Sequence, residues 1–433
     1  MTDTADLSEF GLFDPAIQQC PHAYYAKMQQ DAPVYPAEIP GGTLHLVTRY
    51  DDVTEIVRDV ATFSNRFDTA GANFHPELAA RMKELYEAEG GYDKIGTMLT
   101  VDPPDHTRFR RLVTKAFTPK VIADLEPTIR EITRGLVADV IAAMETDGKV
   151  EFVETFAVPL PVTVIAKALN VPDDRLADFK RWSDASIAGI GTNITIEERL
   201  EAEREVIQFQ KYFAEQLELR RENPQGDILT NLLNARIDAE EVGDNGEEID
   251  DRPLTMPEML SIIQQLLVAG NETTTKALTE MMRLLGENPT EWDRLREDPS
   301  RAKAVFEETL RLSTPTQGMF RVVKADAEVA GTSLCPGDRA VVMYAAANRD
   351  PDVFPDPDTF SPDRDNLTSH LAFGKGVHFC LGAALSRLEG KVAAEELARG
   401  LASFRLCESN EYRYHPSFML RGLVSLDVEV TPG

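Results

Sequence analysis

Phe373-Gly-Lys-Gly-Val-His-Phe-Cys-Leu-Gly382 sets one thiol between a glycine-bearing loop and the start of a helix. Downstream, Ala384, Leu385, Leu388, Val392, Leu397 and Leu401 recur at helical spacing, which predicts a helix over Leu381 to Leu401. Cys380 is then placed at a helix N-terminus, where unpaired backbone N–H groups and the positive end of the dipole favour thiolate over thiol. Gly374 and Gly376 permit a tight turn, and Gly382 leaves room for a flat macrocycle to approach. A thiolate so presented is a candidate ligand for haem iron, because its electron donation favours O–O cleavage. The other fate open to a free cysteine is burial as a small hydrophobe, and Cys20, Cys335 and Cys407 are read that way.

The chain has 433 residues, 42% of them hydrophobic, enough for a large core. No Pro/Gly/Ser tract divides it and no repeat period is present, so residues 1–433 are expected to form a single domain. The first 20 residues are expected to be a mobile extension, and residues 237–252 an acidic solvated loop. Neither a signal peptide nor a membrane anchor is read at the N-terminus, and four scattered cysteines form no disulfide framework, so a cytoplasmic location is expected. The net charge of −28 argues against nucleic acid and anionic membranes as partners.

Three β regions are predicted, Pro33 to Val47, Phe320 to Met343 and Phe404 to Val430, with helices over most of the rest. The stretch from Phe67 to Gly96 reads as a loop. Asp102-Pro-Pro-Asp-His-Thr-Arg-Phe-Arg-Arg111 reads as a helix start, with His106 and Arg110 four apart on one face. Ser261 to Leu285 is the longest helical candidate, interrupted by Ala269-Gly-Asn-Glu-Thr-Thr-Thr275. Glycine costs about 1 kcal/mol in a helix interior and threonines are weak formers, so local distortion is expected there. Glu308 and Arg311 share a helical face at a spacing of three.

Taken together, these segments resemble the cytochrome P450 family, whose pattern Phe-Gly-x-Gly-x-His/Arg-x-Cys-x-Gly is matched at every fixed position. The resemblance runs from about Tyr35 to Val430. It implies a mainly α fold with small β-sheets (α+β), and haem b (iron protoporphyrin IX) held between the long central helix and the cysteine loop. Cys380 would be the axial iron ligand, with Phe373, Gly374, Gly382, Ala269 and Gly270 against the macrocycle. His106, Arg110, Arg321 and His378 match the family's donors to the haem propionates. Glu272 and Thr273 match its acid–alcohol pair, which relays protons to dioxygen. Glu308, Arg311 and Arg364 match a buried structural charge cluster.

By position, the family's substrate walls fall at Thr97, Met98 and Leu99, at Gln265, Val268 and Ala269, at Gln317, Gly318 and Met319, and at Phe418 and Met419. Such a pocket suits a lipophilic terpenoid, steroid, fatty acyl chain or alkyl aromatic, anchored by Thr97, Gln265 or Gln317. No flavin or iron–sulfur segment is read, so electrons from NAD(P)H are expected through a ferredoxin reductase and a ferredoxin. Arg108, Arg111, Lys115, Lys375, Arg387 and Lys391 form the expected docking footprint. Two other readings stand beside the monooxygenase, a peroxide-driven peroxygenase and a non-catalytic haem-binding sensor or carrier. Glu272 and Thr273 count against both.

Overall fold

Thr255 decides where the central helix begins. Its hydroxyl accepts from the Glu258 N–H, while the Glu258 carboxylate accepts from the Thr255 N–H at 2.8 Å, with Pro257 in the first turn. The computed structural model describes residues 5–39, 41–66, 76–114, 119–188, 190, 194–236 and 252–433. Its main helices are α1 (His22–Asp31), α2 (Pro76–Glu89), α3 (Asp105–Thr114), α4 (Glu126–Asp147), α5 (Pro159–Ala168), α6 (Leu176–Ile187), α7 (Ile196–Glu222), α8 (Met256–Glu287), α9 (Ala302–Ser313) and α10 (Ala383–Gly400).

The strands overlap the three predicted regions, with β9 starting at Leu401 where helix was expected, and there are two short additions. A five-stranded sheet runs β1 (Val34–Ile39), β2 (Gly42–Val47), β8 (Arg339–Val342), β5 (Met319–Val323) and β3 (Phe63–Ser64), with only the β2/β8 pair parallel. A three-stranded sheet runs β4 (Val150–Glu151), β10 (Asp427–Pro432), β9 (Leu401–Leu406), and β6 (Ala327–Val329) pairs with β7 (Thr332–Leu334). This is the mostly helical architecture with marginal sheets that the motifs implied.

Helix α8 is shared between two cores. Met259, Leu260, Ile262, Ile263, Leu266 and Leu267 pack with α5, α6 and α7, whereas Ala277, Leu278, Met281, Met282, Leu284 and Leu285 pack with α4, α9 and α10. The stretch between, Val268 to Lys276, belongs to neither cluster.

Several expectations need correction. Residues 76–89 are a helix rather than a loop, because Leu78 and Met82 bury one face against Leu200 of α7. Helix α8 runs unbroken through its threonines, and Thr273 and Thr279 satisfy their hydroxyls on the carbonyls of Ala269 and Thr275, at 3.1 and 2.9 Å. The N-terminal segment from residue 6 is docked. Leu12 is buried, Phe13 meets Phe418 edge-on at 5.5 Å, and Arg421 donates to the carbonyls of Gln18 and Gln19 at 2.8 and 2.9 Å. Of the acidic loop only Arg252 lies within the described residues, ion-paired to Glu258 at 2.7 Å. Cys20 and Cys335 are exposed, and Cys407 is buried as expected.

Glu308 and Arg311 are fully buried on α9. Glu308 accepts from Arg311 at 2.8 Å, from Arg364 at 2.9 Å and from the Ser361 N–H at 2.9 Å. Arg311 spends its remaining donors on the carbonyls of Asn348, Pro357 and Thr359. Removing one member strands a buried charge, so Glu308→Ala is expected to cost about 3–5 kcal/mol in urea unfolding. A second expectation concerns acid. Burial alone would raise Glu258, Glu307 and Glu396, but Arg252 and Thr255, His370 and Arg387, and Arg134, Arg399 and Arg130 respectively outweigh it and hold each at about 2. Their folded pKa values lie below the ordinary 4.5, so this stabilisation is complete above 4.5 and drains away as pH falls towards 2. Urea midpoints measured down that window should fall steadily; a flat profile would contradict the pairing.

Candidate active site

Backbone geometry shapes the loop before any side chain acts. Gly374 and Gly376 adopt φ of +65° and +73°, and a Cβ on Gly376 would lie 2.6 Å from the Val57 carbonyl. The Cys380 N–H donates to the Phe373 carbonyl at 2.9 Å, closing the loop. Helix α10 starts at Ala383 with Gly382 as its N-cap, so Cys380 stands just ahead of it. The backbone N–H groups of Gly382 and Ala383 bond to the sulfur, yet burial outweighs them and raises the thiol above its ordinary pKa. The expected preference for thiolate is therefore overturned in the protein alone: dipole and N–H donors do not offset desolvation. Arg387 lies over the Phe373 ring at 4.5 Å.

A group of basic side chains lies beside this loop. The rings of His106, on α3, and His378 are 4.2 Å apart. Burial lowers His106 to about 4, helped by Arg110, and lowers His378 to about 3, helped by His106 and Arg321. Burial also lowers Arg110, which Cys380 partly offsets. Helix α3 is placed by Asp102, which accepts from Ser64 at 2.6 Å and from the Asn65 N–H at 2.8 Å. The Nε2 atoms of His106 and His378 and the Nε of Arg321 are buried without a protein partner. An unpaired buried polar group costs about 1–3 kcal/mol, so these atoms call for an acceptor the protein does not supply.

Along α8, Gln265, Val268, Ala269 and Thr273 retain solvent exposure, with Ala269 exposed in the middle of the helix. Their spacings place them on one stripe, the open face of the helix. Thr274 bonds Ser386 of α10 at 3.2 Å, which sets this part of α8 beside the helix that follows Cys380. Gln265 donates to the buried Thr97 hydroxyl, with Met98 buried and Leu99 exposed beside it. Gly270 lies elsewhere, since a Cβ there would meet Ile165 at 3.3 Å. Glu272 is also off the stripe. Its buried carboxylate pairs with Lys276 at 2.6 Å, and Lys276 outweighs burial to keep it below its ordinary pKa.

Other expected wall residues turn away. Gln317 donates to the carbonyls of Ser313 and Thr314 at 3.2 and 2.6 Å, so its amide caps α9 rather than offering a substrate anchor. A Cβ on Gly318 would lie 2.7 Å from the Val342 carbonyl, so that backbone is pressed on β8. Met319 is half-buried, while Phe418 and Met419 pack in the apolar cluster with Leu12, Tyr25 and Met28. The basic footprint is also revised. Arg108 is buried in an ion pair with Glu258 at 3.2 Å, on the far face of α3. Arg387 is held by Glu307 at 2.6 Å and Lys391 by Glu126 at 3.5 Å, because acids on neighbouring helices reach them. Lys375 lies over the Tyr50 ring at 5.4 Å, Arg111 is half-buried, and Lys115 lies outside the described residues.

Two acids were missed. Glu307 joins His370 at 2.9 Å to Arg387, and so braces the arginine over Phe373. Glu389, on α10, is pushed up to about 8 by burial, which Thr274 only partly offsets. A single glutamate among many leaves no pattern in sequence, so only packing reveals either.

A haem fits these residues. Its two carboxylates would satisfy the orphaned donors of His106, His378 and Arg321, and its iron would meet the Cys380 thiol on a glycine-lined loop. A family model, "Cytochrome P450", matches residues 194–426. Cytochrome P450 107B1 of Saccharopolyspora erythraea is 32% identical over 98% of both chains. The vitamin D(3) 25-hydroxylase of Pseudonocardia autotrophica is 32% identical over 99% of this chain and 98% of its own. Among solved structures, cytochrome P450 CYP109Q5 from Chondromyces apiculatus superposes with a TM-score of 0.81 at 35% identity, covering 98% of each chain. With loop, donors, central helix and these relatives in agreement, the chain belongs to the cytochrome P450 family.

Proposed function

We propose that this protein is a single catalytic unit that hydroxylates a lipophilic small molecule with O2 and two electrons from NAD(P)H, as a haem-thiolate monooxygenase. The observation that carries the reading is the lone Cys380 thiol, with two backbone N–H groups on its sulfur and unpartnered His106, His378 and Arg321 donors nearby. Bound haem would supply the oxidising chemistry, with Cys380 as the iron's protein ligand.

The protein's own work is binding and proton handling. His106, Arg110, Arg321 and His378 would hold the carboxylates of the haem. The stripe of Gln265, Val268, Ala269 and Thr273 would line the substrate pocket, with Thr97, Met98 and Leu99 joined to it through Gln265. The Gln265–Thr97 pair is the polar anchor, since Gln317 is committed to α9. Terpenoids and steroids suit a wall of this kind, and the relative named for vitamin D(3) supports a steroid-like or terpenoid-like substrate. Thr273 can accept one proton and pass on another, and Glu272 is the acid one residue away. That pair favours oxygen activation over a peroxide-driven reaction or a sensor role.

Electrons are supplied by a ferredoxin and its reductase, docking near the Cys380 loop. With Arg108 buried and Arg387 and Lys391 held by acids, Lys375 carries more of the steering. Among the described residues no helix is long and apolar enough to cross a membrane, which agrees with a cytoplasmic enzyme.

The dithionite-reduced protein under carbon monoxide should show the strongly red-shifted Soret band of thiolate ligation, and Cys380→Ser should abolish it along with turnover. A histidine-type band in the wild type would refute the ligand assignment. Thr273→Ala should retain haem and substrate binding but divert consumed NAD(P)H to peroxide; full coupling would remove Thr273 from the relay.

A further inference from the structure

We propose that Lys276, covered by the C-terminal turn that carries His415, is the positioning residue that holds Glu272 for proton delivery and links it to solvent. The inference rests on the relay reading of Glu272 and Thr273 and deepens it. Lys276 lies one helical turn beyond Glu272, and the side chains of this pair are 8% and 9% exposed. A buried carboxylate without a partner would take up a proton and stay neutral. The ammonium keeps it ionised and able to accept one.

The turn over Lys276 is built for that closeness. A Cβ on Gly422 would lie 2.2 Å from the lysine Cγ, so only glycine lets this backbone close over the side chain. The His415 N–H donates to the Gly422 carbonyl at 3.1 Å, which fixes the exposed imidazole at the mouth of the same turn. The charged groups facing His415 are Lys276 and Glu272 of α8 and Lys180 and Asp184 of α6, the last two ion-paired to each other. Solvent-exposed and buried ionisable groups are thus strung from the surface to Glu272.

In each delivery a proton from solvent enters at His415, which returns to its starting state once the proton has moved inward. Lys276 passes a proton to the Glu272 carboxylate and is reprotonated from the His415 side. Glu272 gives its proton to the Thr273 hydroxyl, which releases its own into the pocket. No electron moves, and every group is restored.

The test uses the full-length holoenzyme with a ferredoxin–reductase pair and a compound that gives a substrate spin shift. Lys276→Met should lower product per NAD(P)H several-fold and enlarge the solvent deuterium isotope effect, with the carbon monoxide Soret band and the spin shift unchanged. Lys276→Arg should keep the carboxylate ionised in infrared spectra but leave coupling low, because a guanidinium can hold the acid without giving up a proton. Infrared difference spectra should show a protonated carboxyl band at neutral pH in Lys276→Met that is missing from Glu272→Gln/Lys276→Met, and the double variant should couple no worse than Glu272→Gln alone. His415→Phe should alter the pH profile of coupling. Wild-type coupling in Lys276→Met while Thr273→Ala uncouples would overturn this inference alone; full coupling in Thr273→Ala as well would overturn the relay reading beneath it. Additive losses in the double variant would reduce Lys276 to a packing role and also overturn the proposal.

Discussion

Arg311 is buried to 0% exposure and so cannot exist here without an anion and a full set of acceptors. Glu308 supplies the charge, and the carbonyls of Asn348, Pro357 and Thr359 supply the acceptors. The segment around Asn348 to Arg364 is thereby tied to α9. Asn348 carries the restraint onward, donating to Thr314 at 2.9 Å and accepting from the Leu371 N–H at 2.6 Å, two residues before the cysteine loop opens. The position of Cys380 is in this sense a consequence of a charge cluster that touches no substrate.

The second organising fact is the division of α8 between two apolar clusters. Each end of the helix packs in an apolar cluster, and the middle buries polar side chains instead. Thr273, Asn271 and Glu272 occupy that interval because hydroxyl, amide and carboxylate are tolerated where no apolar neighbour must be displaced. Their hydrogen bonds remain local: Thr273 to Ala269, Asn271 to Ser183, Glu272 to Lys276. The central helix is continuous through its weakest formers because tertiary contacts on both sides, rather than propensity, hold it.

Electrostatics around the site follow burial more than formal charge. Burial lowers His106, helped by Arg110, and lowers His378, helped by His106 and Arg321; it raises Glu389, and raises Cys380 despite two N–H donors. Burial favours the neutral form of each of these four groups. A dianionic macrocycle carrying a cationic metal would reverse that preference, pairing carboxylates with the basic side chains and sulfur with the metal.

The motifs alone placed the cysteine loop, the helix of His106 and Arg110, the central helix and the Glu308–Arg311 pair, since each is local. A residue type at a set spacing needs only its neighbours in sequence to declare its helix face or its turn. The three β regions were legible for the same reason, from alternation broken by glycine. What sequence could not decide were choices between partners far along the chain. Gln317 lies beside pocket positions yet caps α9, Arg108 lies between two haem-side residues yet turns to Glu258, and Glu272 is next to Thr273 yet faces Lys276. On a helix, adjacent residues point about 100° apart, so contiguity in a motif does not settle shared direction. The helix at residues 76–89, the docked N-terminus and the braced Arg387 likewise depend on surfaces that exist only after folding. Local chemistry was written in the chain; which side chain met which partner was decided by packing, because burial rewards the nearest complementary group in space.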